Sequence, residues 1–327
     1  MASSFEKFVF AVDQLEKASE RRKKEAARRE KQRQKEQERT DAAQSVANYD
    51  QYIAGLLSMH IEDPDTIDWE SIRDGAPPPA PANQHLHEQQ ATFKQKNYKP
   101  SALDRMFGLT AKKTAGLARK VAAAQEKDKA EFEKMNQQYE KDRLEWEKMH
   151  LMAKGILERD TIAYKDALTS FYPFTDIKGL GTKLDLTIHS DHIVADLQVV
   201  GDDYVPNYVL SLTSTGKLSQ KDMPVTKFNT LYQDHICSCA LRVGRELLAF
   251  LPVRKVMINA ISDVLNSSTG NRELQTILSV AMVPEKLAGM NFKALDPSDS
   301  MKNFEHNMAF SKTGGFSPVE KLAAGVA

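Results

Sequence analysis

The sequence has little cysteine and no long apolar run. Cys237 and Cys239 are the only cysteines among 327 residues, so cysteine can supply neither a disulfide framework nor a four-ligand zinc site. The longest apolar region, residues 236–253, is interrupted by three charged residues, whereas a membrane-spanning helix needs about 20 nearly uncharged residues. Residues 1–17 lack the unbroken apolar core of a signal peptide. We therefore expect a cytoplasmic protein that does not cross a membrane.

An excess of charge of either sign is also missing. The 45 basic residues are balanced by 45 acidic ones, which gives no global electrostatic reason to bind a nucleic acid or a membrane. Binding of that kind would have to come from local clusters of charge. With 41% hydrophobic and 28% charged residues, the composition is typical of a soluble chain of roughly two domains.

One basic cluster lies in a segment without large apolar side chains. Residues 16–45 contain no Val, Leu, Ile, Met or aromatic residue, and residues 21–39 contain ten basic and four acidic residues, a net charge of +6. We take this as the one strong charge cluster of the chain. Its residues are good helix formers, which predicts a single solvated helix or a helix-prone disordered arm. The arm is expected to contact phosphate backbones or an acidic partner, with a solvated spacer as the alternative. The candidate binding residues are Arg21, Arg22, Lys23, Lys24, Arg28 and Arg29.

The following segments are predicted to be helical, with a proline-rich interruption. Residues 49–60 carry apolar side chains on one helical face, which must dock on another surface. Four prolines within residues 77–81 indicate an extended linker. Within residues 117–156 the apolar residues advance by steps of three and four, which is typical of a coiled coil. The partner of this stripe is left open: the helix of residues 49–61, the following domain, or a second copy of the chain.

The C-terminal half predicts a mixed α and β domain. Residues 183–189 and 192–199 alternate apolar and polar side chains around a tight turn, and a register in which paired numbers sum to 381 places Leu184, Leu186 and Ile188 on one apolar face. A third strand is expected near residues 207–213. A long helix over residues 226–251 follows, then two strands, residues 256–261 and 275–283, which a turn joins as a hairpin. We also expect a last helix that begins near Asp296 and turns Met301, Phe304 and Met308 inward.

These patterns predict an α+β fold whose sheet is covered mainly on one side by the long helix. The expected segments are a basic arm (1–46), a docking helix with a proline-rich linker (47–100), a long helical stalk or helical hairpin (101–172), the α+β domain (173–312) and a flexible tail (313–327).

One acidic pair gives the sequence a candidate catalytic or metal site. The same register places Asp185 opposite Asp196, and like charges across a strand pair repel. A divalent cation bound by both carboxylates, with Gln198 nearby, would relieve this repulsion. The element order resembles the restriction-endonuclease-like core, which implies metal-dependent hydrolysis of a phosphodiester, but its motif has a lysine where this chain has Gln198. The alternative is a solvated face on which Lys183 and neighbouring chains balance the charge.

Other candidates have ordinary structural interpretations. Residues 213–219 contain a Gly-Lys pair but lack the earlier glycine and the following Ser or Thr of a phosphate loop, so we expect a turn. His235 and Cys239 lie on the apolar face of the long helix and are expected to be buried. Arg242 and Glu246 are expected to form an i, i+4 pair on the surface.

The sequence favours a non-enzymatic interaction or scaffold protein without a cofactor. Its expected partners are another protein or, through the basic arm, the backbone of a nucleic acid, without membrane contact. Self-association through residues 117–156 is a further hypothesis. The alternative is a divalent-metal nuclease or phosphodiesterase that uses Asp185 and Asp196.

Overall fold

The computed structural model describes residues 4–171, 173–174, 181, 183–199, 201, 204–265 and 269–323, and of residues 4–20 and 265 it describes only the backbone. The chain forms two compact units. The first comprises Met1–Thr66 and Tyr172–Ala327, and the second comprises Ile67–Phe171.

The first unit begins with one continuous helix, α1 (Ser4–Ser58), of 55 residues. The basic arm and the predicted docking helix are therefore two parts of one element, and the expected boundary at residue 46 falls inside it. Side-chain hydrogen bonds at i, i+4 spacing support the polar part, where the Gln37 amide donates to the Asp41 carboxylate at 2.8 Å. Among the α1 residues whose side chains are described, 21–58, the C-terminal part contributes to the core of the unit, where Leu56 is buried.

The second unit consists of helices around one long helix. In chain order they are α2 (Trp69–Asp74), α3 (Leu86–Lys96), α4 (Ala102–Met106), α5 (Thr110–Leu157) and α6 (Thr161–Phe171). α5 contacts α2, α3 and α6, so part of its apolar stripe packs within its own unit. The pairing with α6 agrees with the helical hairpin that the sequence allowed, whereas the packing of α2 and α3 was not expected. Ala153 and Ile156 are fully buried, whereas Met135 and Leu144 remain exposed.

The rest of the first unit contains the mixed sheet. Its elements are β1 (Lys183–Ile188), β2 (His192–Gln198), β3 (Tyr208–Leu212), β4 (Leu218–Asp222), α7 (Val225–Phe250), β5 (Lys255–Leu265), β6 (Arg272–Met282), α8 (Pro284–Leu287), α9 (Pro297–Ser300), β7 (Glu305–Ser311) and β8 (Gly315–Ser317). The six-stranded sheet has the order β1-β2-β5-β6-β7-β8, and β3 and β4 form a separate hairpin. β2 and β5 are parallel, and the other neighbouring strands are antiparallel. This arrangement confirms the predicted α+β class.

The predicted register of the first hairpin is confirmed residue by residue. Leu184 pairs with Leu197, and Ile188 pairs with Ile193. The strand alternation places Ile193, Ala195 and Leu197 in the core, while the residues between them are partly exposed. Because one face is buried, a shift of one residue would expose the whole apolar set.

Helix α7 covers the buried face of the sheet, and its residues 231–250 are buried or only partly exposed. It contacts β5 on one side, and α1 also packs against it. Gly244 allows the close approach to the sheet, because a Cβ atom there would lie only 2.3 Å from the sulfur of Met282. Residues 231–250 therefore lack the exposed polar side that surface helices usually have.

Two expectations for the C-terminal region are corrected. The third predicted strand, β3, pairs with β4, which the sequence analysis did not predict, and not with the large sheet. The last helix is wrong beyond residue 303: after α9 and a 3₁₀ turn (Met301–Asn303), the chain forms β7, in which Met308 pairs with Leu278. The sequence of this segment also fits a strand, because large side chains at positions 304, 306, 308 and 310 alternate with smaller or polar ones. Backbone pairing with the edge of β6 favours the strand over the helix.

The segment predicted as a tail also packs on the sheet. Residues 315–317 form β8. The amide of Val319 then donates to the carbonyl of Thr276 at 2.8 Å, and the amide of Leu322 donates to the Ser279 hydroxyl at 2.9 Å. We call residues 318–323 the C-terminal strap.

Candidate functional site

The basic arm, residues 21–39, projects its charge into solvent. Every side chain from residue 21 to residue 41 is exposed, including the six predicted binding residues. At about 1.5 Å of rise per residue, the arm extends over roughly 27 Å. Ten cations distributed along a rod of that length can contact several phosphates or carboxylates of an extended partner at once.

The C-terminal part of α1 fastens this arm to the first unit. The hydroxyl of Tyr49 donates to the carbonyl of Tyr208 at 2.8 Å, and the hydroxyl of Tyr52 donates to the carbonyl of Tyr204 at 2.9 Å. Both bonds join α1 to the segment that leads into the β3-β4 hairpin. The arm therefore continues from an anchored helix and not from a separate linker.

The chain directly after α1 is held by charged groups of α7. The guanidinium of Arg245 donates to the carbonyls of His60 and Glu62 and lies 3.7 Å from the ring centroid of Phe292. A ring nitrogen of His60 lies 2.8 Å from the Ser238 hydroxyl. These contacts bind the end of α1 to α7, because buried carbonyls require donors.

The predicted ion pair between Arg242 and Glu246 forms, but its expected position on the surface is wrong. A guanidinium nitrogen of Arg242 lies 3.3 Å from a carboxylate oxygen of Glu246, but the two side chains are only 12% and 2% exposed. Burial raises the pKa of Glu246, which the positive charge of Arg242 partly opposes. The polar side of α7 faces residues 60–65, and the sequence pattern of α7 alone could not reveal that cover.

The acidic pair lies on the sheet face opposite the buried one. Asp185 is opposite Asp196, as predicted. Lys183 lies 2.6 Å from the Asp185 carboxylate, which is the contact that the alternative interpretation anticipated. Asp196 accepts from the Asn259 amide at 2.8 Å and from the Lys321 ammonium at 2.6 Å. The side chain of Asp185 is 61% exposed and that of Asp196 is 32% exposed.

These aspartates begin a polar row that crosses five strands. Successive pairs in the registers give the row Asp185, Asp196, Asn259, Ser279 and Asn307. Within the row, the Ser279 hydroxyl donates to Asn259 at 2.6 Å. The row also holds the C-terminal strap, because Ser279 accepts from the Leu322 amide at 2.9 Å and the Asn307 amide donates to the carbonyl of Glu320 at 2.8 Å. Its geometry therefore supports a structural role in fixing the strap.

The remaining candidates have local structural roles. Gln198 lies at the end of β2, two residues beyond Asp196, and pairs with Lys183 and Ile261. Residues 213–217 form the turn between β3 and β4, as predicted. His235 is fully buried, with a ring nitrogen 3.0 Å from the Leu56 carbonyl.

The two thiols are buried as well. Burial raises the pKa of Cys237 and Cys239 far above their ordinary values, which disfavours the reactive thiolate.

A second basic segment lies in the helical unit, so the expectation of a single charge cluster is wrong. Residues 94–120 contain eight basic residues and one acidic residue, a net charge of +7, and all eight basic side chains are exposed. Leu103, Met106 and Phe107 are 64%, 70% and 65% exposed in the same segment. The net charge summed over successive segments of the sequence is sufficient to find this segment. The exposure of the apolar residues near α4, in contrast, is visible only in the structure.

Comparisons with protein-family models, with curated proteins and with solved structures gave no match. Within the part of the chain that the structure describes, no helix combines the length and the apolar character that crossing a bilayer requires.

Proposed function

We propose that this chain is a non-enzymatic cytoplasmic interaction protein whose basic helical arm binds the phosphate backbone of a nucleic acid or a comparably acidic partner. The observation that supports the proposal is the exposure of all the described side chains between residues 21 and 41. Ten cations are placed there, and every one of their side chains is exposed.

The physical basis of binding is the release of counterions from a polyanion. For duplex DNA, each neutralised phosphate makes the slope of the logarithm of the association constant against the logarithm of the salt concentration more negative by about 0.9. An arm that neutralises about five phosphates would therefore lose roughly 500-fold in affinity between 50 and 200 mM salt. The arm has no aromatic residue for base stacking, so the expected binding is independent of base sequence.

The second basic segment adds an independent reason to expect an anionic partner. Its eight exposed cations lie in the helical unit, whereas the arm belongs to the first unit. A chain of zero net charge that concentrates basic side chains in two exposed segments must carry its acidic excess elsewhere. The local potential, and not the total charge, then determines the binding of anions.

The experiment uses the full chain and a labelled 20-base-pair duplex. Fluorescence anisotropy measures affinity for the wild type and for a variant with Arg21, Arg22, Arg28 and Arg29 changed to Glu. The expected result at 50 mM salt is a loss of more than 100-fold in affinity, together with a shallower salt dependence. The matched control changes the same four residues to Lys and retains most of the affinity, because the charge is kept.

An unchanged affinity after charge reversal, or binding that salt does not weaken, would contradict the proposal. An acidic peptide of equal charge, used in place of the duplex, separates the two classes of partner. A pull-down with and without residues 1–46 then identifies what the arm retains.

The alternative of a metal-dependent nuclease is tested on the acidic pair. Lys183 and Lys321 already supply positive charge to Asp185 and Asp196, which lowers the need for a cation. Changing both aspartates to Asn should leave duplex binding unchanged. Phosphodiester hydrolysis that requires a divalent metal and disappears in the double variant would favour the nuclease instead.

We also propose, as a separate property, that the chain associates with a second copy of itself. Met135 and Leu144 are exposed on α5, inside the region predicted to mediate it, residues 117–156. A measurement of the molecular mass in solution tests self-association directly, and a monomer at all concentrations would exclude it.

A further inference from the structure

Two imidazoles and three carboxylates meet in the second unit, where α3 begins against the middle of α5. The group consists of His85, His87, Glu88, Asp128 and Glu131. Its metal-binding atoms form two sets that share Asp128: His85, Glu88 and Asp128 in one, and His87, Asp128 and Glu131 in the other. Within each set, one ligand atom from every residue lies within 4.8 Å of the others.

Within each set, the imidazole-carboxylate distances are close to those between two ligands of one ion. His87 Nε2 lies 3.2 Å and 3.1 Å from the two carboxylate oxygens of Glu131, and His85 Nδ1 lies 3.1 Å from Glu88. Zinc bonds of about 2.0 to 2.2 Å in a tetrahedral arrangement place neighbouring ligand atoms roughly 3.4 Å apart. Small side-chain shifts would therefore convert these pairs into ligand pairs.

Asp128 is the fixed element of both sets. It is 6% exposed, and its two oxygens accept from the amides of His87 at 3.0 Å and Glu88 at 2.8 Å. Burial alone would raise the pKa of Asp128, but these amides hold it below its ordinary value. Each carboxylate oxygen has a second lone pair, so Asp128 can bind an ion without losing its bonds to α3.

We propose that His87, Asp128 and Glu131 bind a zinc-class transition-metal ion, with water in the fourth position, and that His85 and Glu88 form an equivalent set on the same Asp128. Imidazole with carboxylate is a ligand set for zinc, whereas magnesium and calcium prefer oxygen ligands alone. Lys127 lies 3.8 Å from Glu131, and its exposed ammonium can move into solvent when the ion binds. The bound ion would join α3 to α5 and stabilise the helical unit.

The test uses the full chain after treatment with a chelator. Isothermal titration with Zn²⁺ should show micromolar or tighter binding of one or two ions, and Mg²⁺ should not bind comparably. Co²⁺ should give the visible absorption of a tetrahedral nitrogen-oxygen site. Zn²⁺ should also raise the melting temperature, since an ion that binds only the folded state stabilises it.

The decisive variant is His85→Gln with His87→Gln, which removes the imidazole of both sets. We expect at least a tenfold loss of zinc affinity. The matched control is His189→Gln with His192→Gln, another pair of neighbouring histidines, whose rings stack at 4.2 Å in the first unit; it should bind zinc as the wild type does. Glu131→Gln, at a half-exposed position, provides a second variant if the double change impairs folding.

Three results would overturn the site. They are the absence of zinc binding to the wild type, binding that survives unchanged in both the double histidine variant and Glu131→Gln, and binding that disappears in the His189 and His192 control.

Discussion

The basic arm of α1 and helix α7 carry their charges in opposite ways. In the arm, every side chain from residue 21 to residue 41 is exposed, and no apolar stripe restricts which faces can meet a partner. In α7, Arg242, Arg245 and Glu246 are almost completely buried. The charges of α7 hold parts of one chain together, whereas those of the arm remain accessible to another molecule.

This difference follows from what surrounds each helix. α7 has the sheet on one side and residues 60–65 against its charged side chains, so each buried charge must find a partner within the chain. The arm has solvent around it, where exposed ion pairs contribute only about 0 to 1 kcal/mol. Substitutions should therefore affect the stability of the fold at α7 and the binding of a partner at the arm.

The largest expected effect on stability is that of Arg242→Ala. The change leaves the carboxylate of Glu246 buried without its ion pair, and breaking a buried pair costs about 3 to 5 kcal/mol. Hydrogen exchange of the α7 amides measures the loss in the first unit, because both tryptophans, Trp69 and Trp146, lie in the second. The control, Arg33→Ala in the arm, should change the free energy by less than about 0.5 kcal/mol. Equal effects of the two substitutions would contradict the contrast.

A smaller effect is expected at the C-terminal strap. Lys321→Ala removes the contact with Asp196, and because both side chains are partly exposed, the loss should be about 1 kcal/mol. That value corresponds to roughly fivefold faster exchange of the Leu322 amide, with little change in α7. Lys183→Ala, at the other aspartate, is the control and should leave that amide protected. Uniformly faster exchange throughout the unit would show that the strap is not a local element.

The helical unit should show an acid-dependent effect centred on Asp104. The Lys113 ammonium, 2.5 Å away, lowers the pKa of Asp104 to about 2, and bonds from Ser101 and Tyr98 assist. Because the folded pKa lies below the unfolded one, this stabilisation is complete above about pH 4 and is lost as the pH falls towards 2.

Asp104→Asn lacks that pH dependence. Between pH 4 and pH 2, the wild type should therefore lose more stability than the variant, as measured by tryptophan fluorescence during urea unfolding. Parallel loss in both proteins would show that other carboxylates determine the acid sensitivity of this unit.

The predictable parts of the fold are those with local periodicity. The alternation of apolar and polar side chains on both sides of the turn at residues 190–191 is sufficient to predict the register of β1 and β2. That register places Asp185 opposite Asp196. Helix α7 was recognised from its apolar stripe. The sequence could not show that Arg242 and Glu246 would be buried, because the residues that cover them lie about 180 positions away in the chain.

The same limit explains the errors at the C-terminus and the missed histidine cluster. Residues 301–310 fit both a helical and a strand pattern, and pairing with β6 determines the outcome. His87 and Glu131 are 44 positions apart, so their proximity depends on how α3 packs on α5. Periodic patterns in the sequence do not predict contacts between distant segments. The excess of basic residues within 94–120, in contrast, can be read directly from the sequence.

The smallest expected effect on stability is that of reversing the arm's charge. The variant with Arg21, Arg22, Arg28 and Arg29 changed to Glu should have nearly the wild-type protection of α7 amides, within about 0.5 kcal/mol, because exposed substitutions away from packed contacts have small effects. The loss of duplex affinity proposed above must therefore occur in a folded protein. Hydrogen exchange and anisotropy on the same sample check both properties. If α7 lost protection together with the affinity, the arm would have to be counted among the elements that stabilise the fold, and its contrast with α7 would fail.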